Sequence, residues 1–278
     1  MQAETEQLAE FVRRHPRLIV LTGAGVSTDS GIPDYRDFQG QWKRRQPVRF
    51  QEFIGRESTR QRYWARSMLG WPTIANALPG AAHTALAQLQ SQGYISALVT
   101  QNVDGLHQAA GVGDTLDLHG RIDRCVCLAC RHISPRSELQ QRLEQCNPAW
   151  SDLYAGIAPD GDADLDAADF SDFCVPVCGH CGGMLKPDVV FFGEAVPKDC
   201  VAQVIEKILA ADAMLVVGSS LMVFSGFRFA RMAAQDNRPL AILNQGSTRA
   251  DNLASLKLEL PCGPMLQNLT RDLAGAMA

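Results

Sequence analysis

Two Cys-x-x-Cys pairs, Cys127 with Cys130 and Cys178 with Cys181, carry the most specific chemistry in this sequence. Each pair presents two sulfurs from one tight turn, and together they offer four thiolates, the donor set of a tetrahedral Zn²⁺. The second pair runs into Gly182-Gly183, whose backbone can turn its amides toward sulfur. Two disulfides, or redox dithiols, are the other readings of this spacing. Matched pairs with glycine in the second turn suit a zinc ribbon better, and the first fifteen residues read as a polar helix rather than a secretory leader. Because four thiolates leave no coordination position for water, one such zinc holds structure, and the reacting groups are to be sought elsewhere.

Four polar clusters supply those groups, and each follows an apolar run. Residues 17–22 break into Gly23-Ala24-Gly25-Val26-Ser27, 94–100 into Gln101-Asn102-Val103-Asp104, 213–217 into Gly218-Ser219-Ser220, and 239–243 into Asn244-Gln245-Gly246. Continuous apolar runs of this length are the pattern of buried parallel strands. Helical periodicity lies between them at 81–92, 198–210 and 227–235. The expected fold is therefore α/β, a doubly wound Rossmann-like parallel sheet, whose ligands bind beyond the carboxyl ends of the strands where all four clusters fall.

Residues 1–35, 76–120 and 185–278 are expected to build that sheet domain, with 36–75 as a helical layer and 121–184 as a zinc-ribbon module. The layer and the ribbon together make a small domain. A net charge of -4 over 278 residues opposes a sequence-independent nucleic-acid binder. No apolar run reaches the roughly 20 residues of a membrane span. An odd count of nine cysteines leaves Cys125, Cys146, Cys174, Cys200 and Cys262 as reduced thiols after the zinc four, which points to a cytoplasmic protein.

Two motifs need weighing. The insert beginning Asp160-Gly161-Asp162 imitates a calcium loop, but Leu165 stands where its glycine belongs and Ser171 where its bidentate Glu belongs, so the stretch 160–172 reads as a solvated acidic loop. The turn Gly23-x-Gly25 matches two glycines of the dinucleotide fingerprint, while Thr28 replaces the third. Its continuation, Ser27 to Arg36, is a polar flap stiffened by Pro33 and able to carry Arg36 to a phosphate or ribose.

Gly23-Ala24-Gly25-Val26-Ser27 with Gly31-Ile32-Pro33-Asp34-Tyr35-Arg36, Thr100-Gln101-Asn102-Val103-Asp104, Leu118-His119-Gly120, the two cysteine pairs and Gly218-Ser219-Ser220 together resemble the sirtuins, NAD-dependent protein-lysine deacylases. The resemblance runs from about Arg17 to Cys262. Within the family, Leu185 to Glu194 and Tyr63 to Pro72 look like class II, the mitochondrial lipoamidase and ADP-ribosyltransferase type and its bacterial relatives. A eukaryotic member would be expected in the mitochondrial matrix.

The resemblance implies NAD as a consumed co-substrate and acylated lysine on proteins as the partner, with O-acyl-ADP-ribose and nicotinamide as products. His119 is implied as the general base toward a ribose hydroxyl, a task suited to imidazole because its pKa of about 6.5 lies near working pH. Asn102 and Asp104 are implied to line the nicotinamide pocket. Gly23, Ala24, Gly25, Ser27, Gly218, Ser219 and Ser220 would cradle the diphosphate, with Asp34, Tyr35, Arg36 and Gln101 closing over the nucleotide. Asn244, Gln245 and Gly246 would hold the adenosine ribose and Cys262 would touch adenine. The acyl-peptide is expected against Val189, Val190, Phe191 and Phe192. Tyr63 and Arg66, three apart on one helix face, resemble the acid-reading pair of desuccinylating sirtuins, although an ordinary surface helix with a solvated Arg explains them slightly better. His83 and His107 read as structural histidines. Protein mono-ADP-ribosyl transfer and a zinc-ribbon nucleic-acid module, which would use Arg121, Arg124, Arg131 and Arg136, are the alternatives; a monomer is expected.

Overall fold

The computed structural model of the chain describes residues 2–43, 47–150 and 169–275. In chain order its elements are α1 (Gln2–Arg14), β1 (Leu18–Thr22), α2 (Phe50–Gly55), α3 (Glu57–Ala75), α4 (Ala81–Ser91), β2 (Ile95–Thr100), α5 (Leu106–Ala109), β3 (Thr115–Asp117), β4 (Gly120–Cys127), β5 (Ile133–Pro135), α6 (Arg136–Cys146), β6 (Leu185–Val189), α7 (Lys198–Ala210), β7 (Ala213–Val217), α8 (Phe224–Gln235), β8 (Leu240–Leu243), β9 (Leu256–Leu258) and α9 (Cys262–Gly275).

Six strands form one sheet in the order β3-β2-β1-β7-β8-β9, and every neighbouring pair is parallel. Strands β1 and β7 are buried at every position because helices cover both faces. Alternate residues then serve opposite cores. Leu18, Val20, Leu215 and Val217 meet α1, α4 and α9, while Ile19, Leu21, Met214 and Val216 meet α7 and α8. The chain leaves β1 for β2 and β3 on one side and later returns to β7 on the other, so β1 and β7 flank the topological switch where doubly wound sheets bind ligands.

The small domain is a three-stranded antiparallel sheet, β5-β4-β6, under α2, α3 and α6. Phe53, Tyr63, Trp64 and Met68 share one apolar cluster with Cys125, Leu139 and Phe173, which ties the helical layer to the ribbon. The expected boundary at residue 185 moves: β6 pairs with β4 through Leu185↔Cys127 and Pro187↔Cys125, so Leu185–Val189 belongs to the small sheet. Residues 36–43 are also non-helical, forming a turn in which Arg36 bridges Trp42. Most of the acidic insert, 160–168, lies outside the described residues.

Of the four ribbon arginines, Arg131 is exposed, whereas the other three are paired or buried. Arg121 pairs with Asp123 at 2.6 Å and Arg124 with Asp188 at 2.8 Å. Arg136 is buried, its guanidinium 5.4 Å from the Trp64 ring and 5.2 Å from that of Trp71.

Candidate active site

The two glycine turns meet at the switch point. Gly25 donates its N–H to the Gly218 carbonyl over 2.8 Å, and Gly23 donates to Val217 over 3.1 Å. A Cβ on Gly23 would lie 2.7 Å from Cβ of Ser219, and Gly218 holds a left-handed φ of +60° with its missing Cβ directed 2.7 Å from the Val26 nitrogen. No side chain fits either place. The result is a narrow seam of backbone with small hydroxyl residues, the kind of surface a diphosphate can approach.

Beyond the seam opens a cavity of about 550 Å³. It is lined by Gly23, Ala24, Gly25, Ser27, Asp34, Tyr35, Arg36, Gln101, Asn102, Asp104, His119, Gly218, Ser219, Ser220, Asn244 and Gln245, and at its other end by Tyr63, Val189, Val190, Phe191 and Phe192. Sequence positions spread over more than 200 residues are thus brought to one wall. Gly246, Cys262 and Arg66 do not line it. Gly246 packs against Phe38 with a φ of +86°. Cys262 opens α9 with its thiol buried against the Leu243 carbonyl at 3.7 Å, and burial pushes that thiol up to about 12. Arg66 shares α3 with Tyr63, but the ring of Tyr63 takes the cavity side by packing 5.3 Å from Phe191 and 5.4 Å from Phe53.

His119 is fixed at both ring nitrogens. Nδ1 lies 2.9 Å from the Gln101 carbonyl, which can only accept, so Nδ1 carries the proton and Nε2 the lone pair. That lone pair faces the Ser225 hydroxyl at 2.8 Å. Burial holds the imidazole below its ordinary pKa, against the pull of the Gln101 carbonyl and with the help of the Arg228 charge. Gln101 is itself held by its amide, which donates to Ser219 Oγ at 2.7 Å and to the Thr22 carbonyl at 3.2 Å. The arrangement is that of a neutral base presented to the cavity.

Asn102 and Asp104 form a second cluster through Ser27. Ser27 Oγ donates to Asp104 Oδ2 at 2.8 Å and accepts from Asn102 Nδ2 at 3.0 Å. Asp104 Oδ1 accepts the Leu106 N–H at 2.9 Å, fixing the carboxylate plane. His83 supports the cluster from behind: its Nδ1 accepts from Gly80 at 3.1 Å, so its Nε2–H faces Ser27 Oγ at 3.4 Å. His107 is buried against Thr22 at 2.9 Å. Both histidines are structural, but His83 touches the site. Ser225 and Arg228, which line the cavity, were not singled out from sequence; their only local signal is an i, i+3 spacing at the start of a helix.

The four cysteines converge as well. Their sulfurs all lie within 4.8 Å of one another, with Cys127 to Cys181 at 3.5 Å and Cys130 to Cys178 at 3.8 Å. A tetrahedral site with Zn–S bonds of about 2.3 Å requires S···S edges of about 3.8 Å. The Cys130 amide holds the Cys127 thiol down to about 6. The Gly183 amide favours the Cys181 thiolate too, yet crowding by the Cys130 and Cys127 sulfurs pushes that thiol up to about 12. Four thiols this close need a cation between them to ionise together, and the set fits one structural Zn²⁺.

Comparison with known proteins agrees with this geometry. The family model described as the Sir2 family matches residues 23–225. An NAD-dependent protein deacetylase of Xanthomonas campestris pv. campestris (strain 8004) is 60% identical over 93% of this chain and 88% of its own length. NAD-dependent protein deacetylase 2 of Bradyrhizobium diazoefficiens is 58% identical over 92% of this chain and 94% of its own. A solved structure of Sir2 with a p53 peptide and NAD+ superposes with a TM-score of 0.79 at 28% identity, covering 99% of both chains. With a family model spanning both glycine turns and His119, and relatives this similar across almost the whole length, the chain belongs to the Sir2 family.

Proposed function

We infer that this protein is an NAD-dependent protein-lysine deacylase. The observation that carries the reading is His119, a neutral imidazole with its Nε2 lone pair in the same cavity as two glycine turns and an Asn102–Ser27–Asp104 cluster. The seam of Gly23, Gly25 and Gly218 fits a dinucleotide diphosphate, since only backbone lies where a Cβ would stand. When bound, NAD supplies a glycosidic carbon that becomes electrophilic as nicotinamide departs. Asp104 and Asn102 orient the leaving carboxamide through acceptor and donor atoms. His119 takes a proton at Nε2 from a hydroxyl brought to it, and the aromatic end of the cavity around Tyr63 and Phe191 excludes water from the acyl group.

The apolar character of that end supports acetyl and other uncharged acyl groups over acidic ones. We place the chain in the class II branch, which makes lipoyl-lysine a substrate to test. The paired and buried ribbon arginines support a peptide rather than a nucleic-acid partner. No helix of the described residues is long and apolar enough to cross a membrane. The free thiols outside the zinc set support a reducing compartment such as the cytoplasm. The test is nicotinamide release from NAD with and without an acylated peptide. Release that needs the acyl group supports deacylation, and equal release without it favours ADP-ribosyl transfer.

A further inference from the structure

Ser225 and Arg228 stand one helical turn apart at the start of α8, and both line the cavity beside His119. The Ser225 hydroxyl is 2.8 Å from His119 Nε2. Because the Gln101 carbonyl can only accept, it selects the Nδ1–H tautomer, and the Ser225 hydroxyl is therefore the donor to Nε2, holding the direction of that lone pair. Arg228 brings a positive charge to the same helix face. Its Nε and Nη2 are buried without a hydrogen-bond partner among the described residues, and its guanidinium carbon sits 4.7 Å from the Phe229 ring centroid, an aromatic face in place of a carboxylate.

The other groups around His119 do not offset that charge. From β2, Gln101 contributes a neutral carbonyl. From β3, the Asp117 carboxylate is engaged by the Gln108 amide at 2.9 and 3.1 Å and faces Arg121. From β4, Arg121 is paired with Asp123. From α7, Cys200 points its thiol at the Asp117 carbonyl. A cation left uncompensated beside an imidazole opposes a second cation there.

We propose that Ser225 and Arg228 are positioning residues for the reaction, together holding the neutral Nδ1–H tautomer of His119 with its Nε2 lone pair turned into the cavity. Gln101 fixes which nitrogen is the base, Ser225 holds its lone pair in place by donating to it, and Arg228 keeps that nitrogen unprotonated. The hydroxyl of Ser225 also marks the place that the substrate hydroxyl must take, so it rotates away on loading. This proposal rests on the deacylase reading for its kinetic arm only.

The experiment is a side-chain ¹⁵N NMR titration of His119, assigned through His119→Gln, beside the pH dependence of kcat/KM with NAD and an acetyl-lysine peptide. In the wild type, His119 shows the Nδ1–H tautomer and titrates below the ordinary value of about 6.5. Arg228→Met moves the His119 midpoint and the acidic limb of kcat/KM upward together, by on the order of one pH unit. Arg228→Gln gives the same shift and stands in should Arg228→Met fail to fold, whereas Arg228→Lys leaves both near wild type. Ser225→Ala removes the donor to Nε2, shifts the Nε2 ¹⁵N resonance downfield toward that of a free lone pair with the tautomer unchanged, and lowers kcat about tenfold with little change in the KM for NAD. Unmoved midpoints in Arg228→Met and Arg228→Gln, equal shifts in Arg228→Lys, or an unmoved Nε2 resonance in Ser225→Ala would overturn the proposal. If the titration shifts as stated but the wild type releases no nicotinamide in response to acyl-peptide, the deacylase reading fails and the positioning stands.

Discussion

Ser27 Oγ lies 2.8 Å from Asp104 Oδ2, joining the turn after β1 to the turn after β2 across the floor of the cavity. The same oxygen accepts from Asn102, so Ser27→Ala strips a partner from two polar groups at once. Leaving such groups unpaired costs about 1–3 kcal/mol. The expected outcome is a rise in the KM for NAD of about tenfold, with zinc content unchanged. Initial-rate kinetics and metal analysis check it, and an unaltered KM would show that the bridge does not order the site.

The cysteine cluster should carry one zinc per chain. Cys127→Ala or Cys178→Ala removes a ligand from a set whose sulfurs already lie at tetrahedral spacing, and the small domain loses the metal that supplements its modest core. Zinc content falls toward zero and the melting temperature drops, by elemental analysis and thermal unfolding. Full zinc occupancy in either variant would contradict the assignment.

Much of this fold was readable from sequence where burial is total. Strands β1, β7 and β8 are buried at every position, and β2 at all but Ser96, because helices cover both sheet faces. Strands β3 and β9 are three residues each at the sheet margins, too short and too exposed to stand out. Helix α9 begins Cys262-Gly263-Pro264, which reads as a loop, yet glycine and proline are tolerated in a first turn whose N–H groups have no helical partner. Cys262, which the resemblance implies near adenine, opens this helix with its thiol on the Leu243 carbonyl. Strand β6 was assigned to the large sheet because its apolar run does not name its partner; pairing with β4 decides that. The glycine turns were legible from residue type, and His119 from the resemblance that its Leu118-His119-Gly120 setting carries. Ser225 was not, since its partner is 106 residues away.

Stability should depend on pH through His107. Burial, and then the neighbouring His83, press its pKa down to about 3 in the folded chain. The unfolded chain binds this proton near pH 6.5 and the folded chain does not, so the stabilisation is fully present above about 6.5 and is lost progressively as the pH falls toward 3. The loss is about 1.4 kcal/mol per pH unit below the unfolded value. Melting temperatures measured from pH 7.5 to 5 should decline, and His107→Asn should decline less steeply. Parallel slopes would place the titrating group elsewhere.

Acyl preference separates the two residues whose spacing resembles an acid-reading pair. Tyr63 lines the cavity and Arg66 does not. With acetyl-, succinyl-, glutaryl- and lipoyl-lysine peptides, Arg66→Ala should keep the wild-type ranking, and Tyr63→Ala should change it. A selective loss of succinyl and glutaryl turnover in Arg66→Ala would restore the acid-reading pair.

The most direct test couples the two halves of the reaction at His119. Nicotinamide and deacylated lysine are quantified together from NAD and an acetyl-lysine peptide, for wild type and His119→Ala. The account predicts one nicotinamide per lysine in the wild type and none without the acyl group. In His119→Ala both should fall by roughly 10²–10⁴ while the zinc content and the NAD-induced rise in melting temperature persist. Near-native turnover in His119→Ala, or nicotinamide release that ignores the acyl group, would contradict it.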